Sequence, residues 1–237
     1  MGRSKVLLVF SIILFALLLY GTLFLGGEHY LLLSFVLLFI AIFPFFARFE
    51  RREMDARGIV LIAILAAIAA VSRVPFAIVP SVQPTTFVVI MAAIVFGAES
   101  GFLVGAVAAL VSNLFLGQGP WTPWQMFAWG MVGMTAGLLK NCLWARKKLL
   151  LLPFGFLWGF LFGWIMNLWY IIGFGENITF GMVLTAMASS FYFDFAHALS
   201  NLLFLHIFAV KWKTILVRFK MKYGILEARK RGCPISP

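Results

Sequence analysis

Long apolar runs separated by short polar segments are the dominant pattern along this chain. A helix needs roughly 20 apolar residues to cross a bilayer. The runs do not alternate polar and apolar positions, as the strands of a membrane β-barrel would. We predict eight helical spans, at about 6–25, 30–46, 58–73, 85–97, 101–116, 124–140, 149–173 and 181–209. The pattern therefore predicts an all-α integral membrane protein.

Composition and charge agree with a membrane protein and not with a nucleic-acid-binding one. Of the 237 residues, 63% are hydrophobic and 11% are charged, which is more apolar surface than a soluble domain of this size can bury. The net charge is +11, but the basic residues lie in short runs between the apolar spans. We therefore expect contact with lipid and no nucleic-acid partner.

The distribution of Lys and Arg predicts the topology. If both termini are cytoplasmic, Arg73 is the one residue among the 19 Lys and Arg that falls on the outer side. The apolar run Val6–Leu25 is too long for a signal peptide, and no small-residue cleavage site follows it. We expect a retained first helix and a multi-pass protein of the cell membrane.

Polar segments divide the chain into three parts. Arg48–Arg57 (RFERREMDAR) separates an N-terminal two-helix extension, residues 1–57, from a six-helix core at 58–210. Residues 211–237 place apolar side chains at helical spacing among Lys and Arg. This pattern predicts a basic amphipathic tail on the anionic inner leaflet.

Small residues recur at helical spacing in the core. Gly-x-x-x-Gly spacings at 101–105, 133–137 and 155–163 predict closely packed helices. An alanine strip follows the third predicted span, at Ala63, Ala66, Ala67 and Ala70. Two interpretations remain open, namely packing inside this chain and a docking face for a partner protein.

The connector after the fifth span combines turn-forming residues with polar and aromatic side chains. Residues 117–125 (GQGPWTPWQ) contain two glycines and two prolines, which predict a turn. Their tryptophans suit an aromatic belt at the membrane interface. An interfacial anchor does not need two glutamines and Asn113 beside the two tryptophans. We therefore interpret the connector as one wall of a ligand site. The proline-rich loop Ser72–Pro84, with Arg73, is expected to be extended. Two interpretations of it remain open, namely a lid and a simple connector whose Arg73 side chain reaches water.

Buried polar groups in the last span admit several roles. Asp194, His197 and Asn201 share one helical face. A charged Asp194 inside the membrane needs a partner, either His197 or Arg73, or a wet cavity. An intramembrane enzyme using Asp194 and His197 and a proton-coupled transporter using Asp194 are therefore alternatives to a simple binding protein. One carboxylate and one imidazole are too few ligands for a metal site.

The candidate ligand-binding residues are those whose amides, rings or charges are expected near the outer mouth. They are Arg73, Gln83, Asn113, Gln118, Trp121, Trp124, Gln125, Asn167, Tyr170, Tyr192 and Asp194. The two cysteines, Cys142 and Cys233, lie far apart and indicate neither a disulfide framework nor a paired-thiolate metal site. The chain contains no phosphate-binding Gly-x-x-x-x-Gly-Lys-[Ser/Thr] run, so ATP hydrolysis by that means must come from a partner.

Three features together resemble an energy-coupling factor (ECF) transporter S component over about residues 58–210: the tripeptide Arg73-Val74-Pro75, the segment Ser112–Gly137 (SNLFLGQGPWTPWQMFAWGMVGMTAG) and the strip Ala63–Ala70. The tryptophan- and glutamine-rich connector most resembles the cobalamin-specific type. The extension at 1–57 is absent from the minimal family pattern.

The resemblance implies a prokaryotic six-helix bundle that binds one micronutrient at its extracellular side. It also implies that the alanine strip meets a membrane scaffold subunit, which two cytoplasmic ATPases drive. We therefore expect the substrate-binding subunit of a vitamin importer, for cobalamin or a related corrinoid, without catalytic residues, intrinsic cofactor or metal. The alternatives are another vitamin and a proton-coupled secondary transporter that uses Asp194.

Overall fold

The protein is described here from a computed structural model, which covers residues 3–24, 30–50, 56–145, 150–172 and 178–224. Every regular element within these ranges is helical, which confirms the predicted all-α class. The α-helices are Arg3–Phe24 (α1), Tyr30–Glu50 (α2), Ala56–Val71 (α3), Thr85–Phe96 (α4), Ala98–Leu116 (α5), Thr122–Leu138 (α6), Lys140–Ala145 (α7), Leu151–Ile172 (α8) and Phe180–Lys222 (α9). Each predicted span overlaps one of them, and the short α7 was not predicted.

Four segments of the described chain are each long and apolar enough to cross a membrane. They are Ala56–Phe76, Ala98–Leu116, Leu151–Ile172 and Phe180–Lys222. Shorter apolar helical stretches are Lys5–Leu17, Leu38–Ala47 and Thr85–Phe96. The length and hydropathy of these helices agree with the predicted integral membrane protein.

Helix α4 forms the centre of the bundle. All of its residues, Thr85–Phe96, are buried, and it packs against α3, α5, α6 and α9. It is about 18 Å long at helical rise, shorter than the hydrocarbon layer of about 30 Å. Gly97, at φ 96°, turns the chain directly from α4 into α5. Such a short helix is tolerated in a membrane because protein, not lipid, surrounds it.

Glycines bring α5 and α6 into backbone contact. A Cβ added at Gly133 of α6 would lie 2.1 Å from the carbonyl oxygen of Gly101, and one at Gly105 would lie 2.3 Å from that of Trp129. Neither position has room for a methyl group. The close packing predicted from the glycine spacings is present.

Helices α8 and α9 pack in the same way. A Cβ at Gly159 would lie 2.4 Å from the Cα of Ala198, and one at Gly163 would lie 1.8 Å from Oδ1 of Asp194. The third glycine of this run, Gly155, would meet the Leu205 side chain. The absence of a side chain at Gly163 therefore makes the space that the Asp194 carboxylate occupies.

The N-terminal helix pair lies against the α5–α6 layer. Phe15 of α1 stacks on Phe127 with ring centroids 4.7 Å apart. Phe45 of α2 stacks on Phe102 at 3.8 Å. The extension is thus a packed part of the fold where the structure describes it.

Helix α9 continues well beyond the predicted span. It runs without a break through residues 210 and 211 to Lys222, 43 residues in all. At helical rise this is about 64 Å, roughly twice the hydrocarbon thickness. The described part of the predicted amphipathic tail is therefore the end of a core helix, and residues 225–237 lie outside the described ranges.

Candidate ligand site at the Arg73 end of the bundle

Arg73 lies at one end of the bundle and joins the loop after α3 to the end of α5. Its Nε donates a hydrogen bond to Oε1 of Gln83 at 2.8 Å. Its Nη1 donates to Oγ of Ser112 and to Oδ1 of Asn113, the latter at 3.1 Å. Because a guanidinium presents its donors in a fixed planar fork, these bonds set the position of the loop relative to α5.

Asn113 connects the hydrogen bonds of Arg73 to helix α6. Its Nδ2 donates to Oε1 of Gln125 at 2.8 Å and to Oγ1 of Thr122 at 3.0 Å. Thr122 in turn donates to Oε1 of Gln118 at 2.9 Å. We call Arg73, Gln83, Ser112, Asn113 and Gln125 the Arg73 cluster; it contains one cation and no carboxylate.

A second polar layer lies beneath the Arg73 guanidinium. The Arg73 Cζ lies 4.7 Å from the centroid of the Trp129 ring, within cation–π range. Trp129 Nε1 donates to Oγ1 of Thr86 at 3.0 Å, and that hydroxyl lies 2.8 Å from Nε2 of His197. The cluster is thereby connected through α6 and α4 to α9.

Asp194 belongs to a separate site between α8 and α9. Ser190 Oγ donates to Oδ2 of Asp194 at 2.9 Å, and Asn167 Nδ2 donates to Ser190 Oγ at 2.6 Å. The expected hydrogen bond between Asp194 and His197 is not formed. The two residues lie only about 60° apart around α9, but the carboxylate turns to the space left by Gly163 of α8 while the imidazole meets Thr86 of α4. Arg73 is likewise engaged with Gln83 and α5.

The predicted aromatic residues lie in different surroundings. Trp124 is 0% exposed, and its ring meets Phe15 of α1 edge-on at 5.7 Å. Trp121 meets Trp169 edge-on at 5.8 Å. Tyr170 and Tyr192 are 53% and 72% exposed.

The proline-rich loop is compact where an extended loop was expected. Val74–Phe76 form a 3₁₀ turn with Pro75 in its first positions, where the fixed φ of proline suits a helical start. Ser200 Oγ accepts a hydrogen bond from the Gln83 backbone N–H at 3.0 Å. The Phe76 ring meets that of Phe204 edge-on at 5.7 Å. The loop is thus fixed to α9 as well as to α5.

The family of this protein follows from the similarity of its sequence to a known family of transporter subunits. Residues 53–213 match the sequence profile of the ECF-type riboflavin transporter, S component. The chain belongs to this family. An S component is the substrate-binding subunit of a transporter and not an enzyme.

Curated relatives of this S component share part of their length with it. A UPF0397 protein of Vibrio atlanticus (strain LGP32) is 36% identical over 91 residues, which cover 36% of this chain and 50% of the relative. A UPF0397 protein of Aliivibrio fischeri (strain MJ11) is 33% identical over 91 residues, which cover 36% and 49%. The chain spans about half the length of the curated relatives it matches. No solved structure matches it.

The alanine strip of the S component is divided between two surfaces. Ala63 and Ala67 are exposed, whereas Ala66 and Ala70 are buried within the bundle. The exposed alanines continue an apolar face with Ile64 and other aliphatic residues of α3. Packing inside this chain therefore applies to Ala66 and Ala70, and contact with a partner remains a prediction for Ala63 and Ala67.

Residues that the sequence did not single out complete the polar network of the S component. They are Thr86, Ser112, Thr122 and Trp129. Trp129 follows Gln125 by one helical turn, so helical spacing from a predicted residue could have found it. Ser112 is next to Asn113 in the sequence, and helical spacing does not place such neighbours on one face. The described chain brings no three His, Cys, Asp or Glu side chains together as metal ligands.

Proposed function

We propose that this S component binds a vitamin at the Arg73 cluster and serves an ATP-driven importer. The observation that carries the proposal is the cluster itself. A guanidinium and three side-chain amides from one loop and two helices meet at one end of an apolar bundle. A ligand with carbonyl and amide groups can exchange hydrogen bonds with these residues without leaving a buried charge unpaired.

Riboflavin is the first candidate ligand because it appears in the name of the matched family. Its ring system carries neutral carbonyl and N–H groups on one edge, which suit amide partners. Cobalamin, expected from the tryptophan- and glutamine-rich connector, is the second candidate. Its peripheral amides suit the same partners.

The same proposal assigns an orientation and partners. The basic residues favour cytoplasmic termini, which puts the Arg73 cluster at the extracellular side. The exposed face of α3 around Ala63 and Ala67 is the surface for the membrane scaffold subunit, since small side chains permit close helix approach. Two cytoplasmic ATPases supply the energy, and the bacterial relatives agree with a prokaryotic source.

One observation favours a competing function. Asp194 is a carboxylate only 5% exposed, between α8 and α9, and a buried carboxylate inside a membrane helix is a common proton carrier. A proton-coupled secondary transporter would depend on this group. In an ATP-driven S component the same carboxylate would have a packing role, beside Gly163 and hydrogen-bonded to Ser190.

Reconstituted uptake separates the two functions. We expect liposomes with the purified chain alone to bind riboflavin or cobalamin but to accumulate neither. Accumulation should require a complete ECF module with ATP and should persist when a protonophore collapses the proton gradient. Asp194→Asn, which keeps the size of the side chain, should retain ATP-driven uptake. Uptake by the chain alone that stops with the protonophore and with Asp194→Asn would establish the proton-coupled transporter instead.

A further inference from the structure

A basic cleft lies at the end of the bundle opposite the Arg73 cluster. It has a volume of about 540 Å³ and lies between the end of α4, the short helix α7 and the last turns of α9. The Arg73 loop leads into the first residue of α4, whereas Ile94 and Val95 near its last residue line the cleft. The two sites are therefore separated by the length of α4.

Three lysines supply the charge of this cleft. Lys140 comes from α7, and Lys213 and Lys220 come from α9; none of the described residues that line the cleft is acidic. Residues 213 and 220 are seven apart, about two helical turns, so both side chains lie on the same face of α9. The lysines are half-buried, which lowers the screening of their charge by water.

The lysine ammonium groups are held by contacts that leave donors available. Lys213 Nζ lies 3.9 Å from the centroid of the Trp144 ring, a cation–π contact that uses no hydrogen-bond acceptor. Lys220 Nζ donates to the carbonyl oxygen of Val95 at 3.1 Å. An ammonium group has three donors, so the cleft presents several N–H groups and, among its described lining residues, no anionic acceptor.

Apart from the three lysines and Asn141, the lining is apolar. Ile94, Val95 and Val217 form part of the wall, and the ring of Trp144 borders it. A free inorganic anion gains nothing from such a wall. An amphiphile gains from both parts, because its phosphate meets the lysines while its glycerol and first methylenes meet the aliphatic side chains.

We propose that this cleft binds the phosphate headgroup of an anionic phospholipid. The bound lipid would join the end of α4 to α7 and α9 at the membrane surface. Under the orientation proposed above, the cleft faces the cytoplasmic leaflet, where anionic lipids attract basic residues. The lipid site itself follows from the lining and does not depend on which vitamin is transported.

Titration of the detergent-purified full chain with fluorescent phosphatidylglycerol tests this proposal. We expect the double variant Lys213→Gln/Lys220→Gln to weaken binding at least tenfold. The matched variant Lys211→Gln/Lys222→Gln removes the same charge from exposed positions of the same helix and should change binding less than twofold. Lys213→Arg/Lys220→Arg keeps the charge and should retain most of the affinity, which separates loss of binding from loss of fold.

Two further arms identify the source of the phosphate. Fluorescent phosphatidylcholine should bind at least tenfold more weakly than phosphatidylglycerol, and inorganic phosphate should not displace the bound lipid. Equal weakening by both double glutamine variants would show diffuse attraction along α9 and would overturn the site. Displacement by inorganic phosphate at the affinity of the lipid would overturn the lipid assignment in favour of a free-anion site.

Discussion

Alanine at Gly133 should lower the thermal stability of the protein by several degrees. The added Cβ would lie 2.1 Å from the carbonyl oxygen of Gly101, so α5 and α6 must separate. Overpacking of this kind costs about 1–3 kcal/mol. In a chain of this size each kcal/mol corresponds to about 2–4 °C. A fluorescence-detected unfolding curve in detergent measures the effect.

The matched control is Gly181→Ala in the first turn of α9. Its added Cβ would meet nothing closer than Thr179 Oγ1 at 3.9 Å. Alanine in a helix is favoured over glycine by about 0.5–1 kcal/mol, so this variant should be as stable as the parent or slightly more stable. Equal unfolding temperatures for the two alanine variants would contradict the close packing of α5 and α6.

Loss of the Arg73 side chain should weaken vitamin binding about ten- to a hundredfold. Arg73→Ala removes charge-assisted bonds to Gln83 and Asn113 and the contact with Trp129. We expect the guanidinium to donate one hydrogen bond to the vitamin; a bond to a charged group contributes about 1.5–3 kcal/mol, and tenfold in affinity corresponds to about 1.4 kcal/mol. Equilibrium binding of labelled riboflavin, and of labelled cobalamin, to the purified chain measures the change.

Two variants make this result interpretable. Arg73→Lys keeps the charge but cannot reproduce the planar fork, so its affinity should lie between those of the parent and Arg73→Ala. Arg218→Ala removes an equal charge from an exposed position near the end of α9 and should leave affinity unchanged. Unaltered vitamin binding by a folded Arg73→Ala protein would show that the Arg73 cluster is not part of the ligand site.

The helices and much of their packing follow directly from the sequence pattern. Apolar runs predict each long helix, and the glycines at 101–105, 133–137 and 155–163 predict the seams that the structure forms. The sequence also explains why α9 is so long. No glycine or proline occurs between residues 182 and 223, so nothing stops the helix where Lys211 and Lys213 begin the polar part.

The candidate site could be predicted only in part, because the rotation of each helix depends on its neighbours. Arg73, Gln83 and Asn113 lie at element ends that must meet at one end of the bundle. Trp124 turns instead towards Phe15, since the N-terminal pair packs on that face of α6. Tyr192 precedes Asp194 by two residues, about 200° of helical rotation, so the two side chains lie on opposite faces of α9.

Mass spectrometry of the small molecules retained by the purified chain is the most direct test of vitamin binding at the Arg73 cluster. We expect the parent protein to carry one vitamin, riboflavin or cobalamin, in near-stoichiometric amount, and Arg73→Ala, purified identically, to carry little of it. A vitamin retained equally by both proteins, or no retained vitamin even after the purified parent is supplied with both candidates, would contradict the account.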